Sequence, residues 1–126
     1  MTLPFAKSLA CAVKGIYIAF KSERNFRIHV VALCLAVALG FYLSLDIMEW
    51  GLIIFSIGFV LVAELFNTTL ERLGDEVADG EEKQLIQNAK DISAAAVLLA
   101  AITALIIGII VLFVPFIQKM LELLWQ

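Results

Sequence analysis

The chain has two cysteines, one histidine and little charge. Each scarcity removes a class of function. Cys11 and Cys34 stand 23 positions apart and form no CxxC pair, which argues against a metal or redox centre built on thiolates. One histidine argues equally against a His-based metal site. Nine Lys and Arg against twelve Asp and Glu leave a net charge of −3, so the basic footprint of a nucleic-acid binder is missing. No GxxxxGK[ST] or GxGxxG occurs, so a phosphate cradle of either kind is excluded. No apolar run followed by a small-residue cleavage site marks a signal peptide. Charged residues are only 17% of the 126, while hydrophobic residues are 63%, against an ordinary soluble share of roughly 45–50%. Mean hydropathy is +1.00. A soluble domain this small has too little interior for so much apolar surface.

The apolar residues fall in blocks. Residues 30–45, 50–63 and 92–118 contain no charge. A spanning helix needs about 20 mostly apolar residues. The third block suffices alone, the first by borrowing from Phe26 onward, and the second by continuing past Glu64 toward Leu73; a re-entrant segment is the alternative for the second. The expectation is an all-α membrane protein forming one domain over residues 1–126. Its transmembrane helices are expected at 26–45, 48–74 and 90–114. Residues 1–22 read as an amphipathic surface helix, with Lys7, Lys14 and Lys21 on one stripe and Phe5, Leu9, Val13, Ile16 and Phe20 opposite. Residues 115–126 read as an interfacial tail opened by Pro115. His29 and the phenylalanines read as packing or interface groups.

Lysine and arginine set the expected orientation. Five precede the first span and three lie between the second and third, leaving only Lys119 beyond. This predicts a cytoplasmic N-terminus and 72–90 segment, with the 44–50 link and the C-terminus outside. Trp50 and Trp125 then meet the outer interface.

Glu64 is out of place in such a chain. A mid-span acid costs roughly 2.5–3.5 kcal/mol on insertion. Asn67 and Glu71 follow at +3 and +7, and Thr68 and Asp75 extend the same helical stripe. An apolar setting strengthens a carboxylate as a base, which suits proton abstraction near neutral pH. Glu71, nearer water, can hold a hard cation through oxygen. Glu23, opening the first span, lies at the same depth, and two such carboxylates can hold Mg²⁺ together with phosphate oxygens. Lys90 and Asp91 open the third span at that level, with Lys90 able to meet a phosphate. Base, metal ligands and cation are the parts of a phosphoryl-transfer site. The competing readings are a small proton-coupled transporter using Glu64 and a non-catalytic membrane assembly subunit, in which Asn67 and Thr68 are interhelical glue.

Three blocks carry a resemblance. Glu64-Leu65-Phe66-Asn67-Thr68-Thr69-Leu70-Glu71 is similar to the ExxNxxxE signature of the prokaryotic diacylglycerol kinases, a family that includes undecaprenol kinases. Lys14-Gly15 with Glu23-Arg24-Asn25-Phe26-Arg27-Ile28-His29, and Ala89-Lys90-Asp91-Ile92-Ser93-Ala94-Ala95-Ala96-Val97, resemble it in the same order and spacing. The resemblance implies a homotrimeric lipid kinase of the bacterial inner membrane, with ATP as co-substrate, Mg²⁺ as cofactor and its site at the cytoplasmic interface. By match to the motifs, Glu64 is the base on a lipid hydroxyl, and Glu23 and Glu71 are metal ligands. Asn67, Lys90 and Asp91 attend the nucleotide with Glu81, Glu82 and Lys83, and Lys14 attends the lipid. The Glu23–His29 block and Asn67-Thr68 resemble the undecaprenol branch more than the diacylglycerol branch. Departures from the family pattern are Cys11 for an aromatic residue, Glu82 for tyrosine, Lys83 for histidine and Ala94 for serine. An arginine ahead of Lys7 is missing, and the loop between Glu71 and Lys90 carries one extra residue.

Overall fold

A computed structural model describes residues 4–77 and 83–125. Five α-helices follow in chain order: α1 (Phe5–Ser22), α2 (Arg24–Leu43), α3 (Ile47–Val77), α4 (Lys83–Gly108) and α5 (Val114–Leu124), with a π-helical turn at Ile109–Phe113 joining the last two. No strand occurs among the described residues. Three stretches are long and apolar enough to cross a membrane: Arg24–Leu43, Ile47–Val77 and Lys83–Leu124.

The joints follow from local chemistry. Glu23 is the single extended residue between α1 and α2. Arg27 reaches back from α2, and its Nη1 donates to the carbonyls of Phe20 and Lys21 at 3.2 and 3.0 Å. These are orphan acceptors at the negative end of α1. At the far end, α2 stops on Ser44, which takes the left-handed conformation at φ 58°. The Leu45 N–H donates to Gly40 O and the Ser44 N–H to Phe41 O, each at 3.2 Å, the bonding of a Schellman motif. One residue later α3 opens with a capping box. The Glu49 N–H donates to Asp46 Oδ1 at 2.9 Å, and the Asp46 N–H to Glu49 Oε2 at 2.8 Å. Trp50 then packs over Gly40, where an added Cβ would lie 2.8 Å from Trp50 Cη2, and its ring stands 4.9 Å from that of Phe41. The tight α2–α3 hairpin therefore has its turn, cap and packing specified within eleven residues, 40–50.

The third apolar stretch begins earlier than its hydropathy suggests. Residues 83–89, expected in a polar link, are the first turns of α4, and α3 runs on through Val77. Side-chain pairs spaced i to i+4 support this extension: Gln84 to Asn88 at 3.0 Å and Gln87 to Asp91 at 2.9 Å. Gly74 lets the two helices close, its Cα facing Ile86 and the Lys90 stem. At the other end Pro115 has no N–H to give the carbonyl four residues back, and the helix widens into its π turn just before it.

Little of the chain is buried. Ile53, Val111 and Leu112 form a small core, with Ala36, Leu39 and Ile57 against it. Most large apolar residues face outward, Phe55, Phe59 and Phe66 among them. That is the surface a hydrocarbon solvent requires. A cavity of about 350 Å³ lies between α2, α3 and α4, lined by His29, Ser56, Val60, Ala101 and Leu112 among others.

Candidate active site

Of the five buried polar residues described, four gather in the stretch where α3 meets α4, while Ser56 lines the cavity instead. Glu64, Asn67 and Thr68 are 2%, 7% and 7% exposed, and Ser93 of α4 is 8% exposed. Helical spacing puts Glu64, Asn67 and Glu71 on one face, and α4 covers that face.

Hydrogen bonds order part of this group. Ser93 Oγ donates to Asn67 Oδ1 at 2.7 Å, and Asn67 Nδ2 donates to Glu71 Oε1 at 3.0 Å. Glu64 differs. Its Oε2 is buried and has no hydrogen-bond partner among the described residues. The charges that bear most on it are the carboxylates of Glu71 and Glu23, so the fold brings three acids from α2's opening joint and from α3 into one electrostatic neighbourhood. Two carboxylates beside a buried third are an unfavourable arrangement unless cations or protons compensate it.

Cations border the cluster. Arg72 of α3 donates from Nη2 to Ser22 Oγ at 2.6 Å and approaches Glu23 Oε1 at 3.4 Å. Ser22 also lies 2.9 Å from Glu23 Oε1. The α1–α2 joint is thus held to α3 beside Glu23. Lys90 pairs with Asp75 at 2.6 Å, and Glu71 and Asp91 also act on its charge. Asp91 itself accepts from Gln87.

The remaining predicted residues lie apart. Lys14 is on the exposed side of α1 in a groove with Leu9, Val13 and Tyr17. A different groove, of about 440 Å³, separates α1 from α3 and is lined by Gly15, Ala19, Thr68 and Arg72. Lys83 is exposed at the start of α4. Glu81 and Glu82 lie outside the described residues. Among the described residues no three His, Cys, Asp or Glu side chains come together as a ready-made metal cluster. Sequence reasoning gave no role to Ser93 or Ser22 and counted Arg72 only toward orientation. The signals for Ser93 are its place in the Ala89–Val97 block and a hydroxyl at +3 from Lys90, just where α4 turns apolar.

Fold and site define a small, all-helical, multi-pass membrane protein with a carboxylate cluster at one end of its bundle. Residues 10–112 match the profile of the family described as prokaryotic diacylglycerol kinase. The undecaprenol kinase of Bacillus subtilis (strain 168) is 38% identical over 111 residues, 88% of this chain and 89% of that protein. The diacylglycerol kinase of Escherichia coli (strain K12) is 34% identical over 110 residues, 87% of this chain and 89% of that protein. The diacylglycerol kinase of Helicobacter pylori (strain ATCC 700392 / 26695) is 33% identical over 96 residues, 76% of this chain and 74% of that protein. The chain belongs to the prokaryotic diacylglycerol kinase family and is a lipid kinase.

Proposed function

We propose that the protein transfers the γ-phosphate of ATP to the primary hydroxyl of a membrane lipid, with undecaprenol preferred over diacylglycerol. The observation that carries the reaction is Glu64, buried at the head of the Glu64–Asn67–Glu71 stripe with one oxygen unpartnered. That oxygen takes the proton of the lipid hydroxyl as the hydroxyl oxygen attacks the γ-phosphorus. The bond from phosphorus to the bridging oxygen breaks, and ADP leaves. The lipid preference rests on the Glu23–His29 block, on Asn67-Thr68 and on the similarity to the Bacillus protein.

Glu23 and Glu71 hold a divalent metal, Mg²⁺, in this reading. The donor chemistry fits. Each carboxylate commits Oε1 to protein donors, which leaves Oε2 for a hard cation. Mg²⁺ is commonly bound by one or two carboxylates together with substrate phosphates, so a three-ligand protein cluster is not needed. When bound, the metal neutralises phosphate charge. Lys90 contributes a point charge to the phosphates. Asn67, Asp91, Glu81, Glu82 and Lys83 attend the nucleotide, and Lys14 the lipid headgroup. The working unit is a homotrimer in the bacterial inner membrane. Its N-terminus and site face the cytoplasm, as the distribution of Lys and Arg favours.

Purified protein in mixed micelles, given labelled ATP and either lipid, tests the reading. Undecaprenol is expected to be phosphorylated faster, and Glu64→Gln to lose at least about 10²-fold in rate, the share of a general base. Full activity in Glu64→Gln would remove Glu64 as the base. Faster transfer to diacylglycerol would reverse the lipid assignment.

A further inference from the structure

Ser93 is a buried hydroxyl on α4 that the proposed reaction does not use. Its Oγ lies 2.7 Å from Asn67 Oδ1 and 2.8 Å from the carbonyl of Lys90. A hydroxyl has one hydrogen to give and two lone pairs to accept with. The one hydrogen can serve Asn67 Oδ1 or the Lys90 carbonyl. Because Asn67 Nδ2 is spent on Glu71, Oδ1 faces Ser93 and takes it, which fixes which way the amide faces. With Oδ1 held toward α4, Nδ2 points along α3 at Glu71 Oε1, 3.0 Å away. A flipped amide would set Oδ1 against the carboxylate, acceptor against acceptor. The chain from Ser93 through Asn67 to Glu71 therefore crosses from α4 to α3 and ends on one oxygen of Glu71.

We propose that Ser93 is a positioning residue for Glu71: by orienting the Asn67 amide it clamps Glu71 Oε1 and presents Oε2 to the metal–nucleotide. The inference rests on the reading of Glu71 as a metal ligand. Partners that orient a ligating carboxylate are typically worth about 10–100-fold in metal affinity. A hydroxyl that only pinned α4 to α3 would affect stability and leave metal binding unchanged.

Binding of Mn²⁺ to the detergent-solubilised full chain, measured by the electron-spin signal of free Mn²⁺ with a non-hydrolysable ATP analogue present, separates these. Ser93→Ala is expected to weaken binding about tenfold and to leave KM for the lipid unchanged. Adding Ser93→Ala to Asn67→Ala is expected to cost nothing further, because the chain is already cut. Binding by Ser93→Ala within about twofold of the parent, or a further loss in the double variant, overturns the inference. Glu71→Gln is the control. If it too binds Mn²⁺ like the parent, the ligand reading of Glu71 fails and takes the inference with it. If Glu71→Gln weakens binding and Ser93→Ala does not, only the positioning role falls.

Discussion

Lys90 Nζ lies 2.6 Å from Asp75 Oδ1, tying α4 to α3 just beyond the carboxylate cluster. Asp75 is 72% exposed in its side chain. An ion pair so open to water is worth about 0–1 kcal/mol, so Lys90 can leave it for a phosphate at little cost. Asp75→Asn should therefore keep the transfer rate within about fivefold, the upper end of what such a pair is worth. Lys90→Met should lower the rate by more than about tenfold, since a charge-assisted contact to phosphate is lost. Its thermal midpoint should hardly move. Rates and melting curves for the two variants check this, and equal losses in both would mean that the pair itself is what the site needs.

The α2–α3 hairpin makes a packing prediction. An added Cβ on Gly40 would lie 2.8 Å from Trp50 Cη2 and 3.1 Å from both Trp50 Cζ2 and Leu45 Cδ1. The indole is rigid and already packed on Phe41, so it cannot yield as a flexible chain end would. Gly40→Ala should cost about 1–3 kcal/mol, the usual price of overpacking. Trp50→Phe removes the conflicting ring atoms and should recover part of the loss in the double variant. Thermal unfolding of the four proteins gives the coupling, and simple additivity would count against this contact as the cause.

The span pattern and the acidic stripe were legible because each is written in short-range periodicity. Uncharged runs locate spans wherever a chain sits, and Glu64, Asn67 and Glu71 share a face in any helix. Glu23 came from depth matching and family resemblance, and the fold sets it within electrostatic reach of Glu64. What escaped depends on crossings between helices. Ser93 meets Asn67 from 26 positions away, and Arg72 meets Ser22 from 50; no local pattern encodes either. The early start of α4 escaped because hydropathy sees lipid contact, whereas Lys83–Ala89 is held by side-chain pairs and by the close approach at Gly74. Lys14 was assigned to the lipid by motif, and it stands on the exposed side of α1 in a groove with Leu9, Val13 and Tyr17.

The segment after the family match is the next test. The match ends at residue 112, and α5 is held to α2 by Lys119, whose Nζ donates to Tyr42 O at 3.0 Å and sits 4.4 Å over the Tyr42 ring. That carbonyl belongs to the last turn of α2, where a cation is favoured. Lys119→Met should loosen α5 and speed its backbone hydrogen exchange several-fold, a local opening worth roughly 1 kcal/mol. The transfer rate should stay near the parent's, since the carboxylate cluster lies at the opposite end of the bundle. A large loss of activity would tie α5 to the site instead.

Glu64 gives the last prediction, because its burial and its function pull in opposite directions. Its side chain is 2% exposed and Oε2 has no partner among the described residues. A buried polar atom without a partner costs about 1–3 kcal/mol. Leucine fills a similar volume and needs no partner, and replacing buried ionisable groups by well-packed apolar ones is often stabilising. Glu64→Leu should therefore raise the thermal midpoint while abolishing transfer, the trade expected where a destabilised group is retained for its chemistry. Glu64→Gln should be as inactive but gain less stability, because its amide still needs partners. Melting curves and transfer rates for both variants decide it. A lower midpoint for Glu64→Leu would mean that Oε2 is satisfied in the assembled protein, by a group from a neighbouring copy or from the lipid, and that Glu64 is kept for assembly as well as for chemistry.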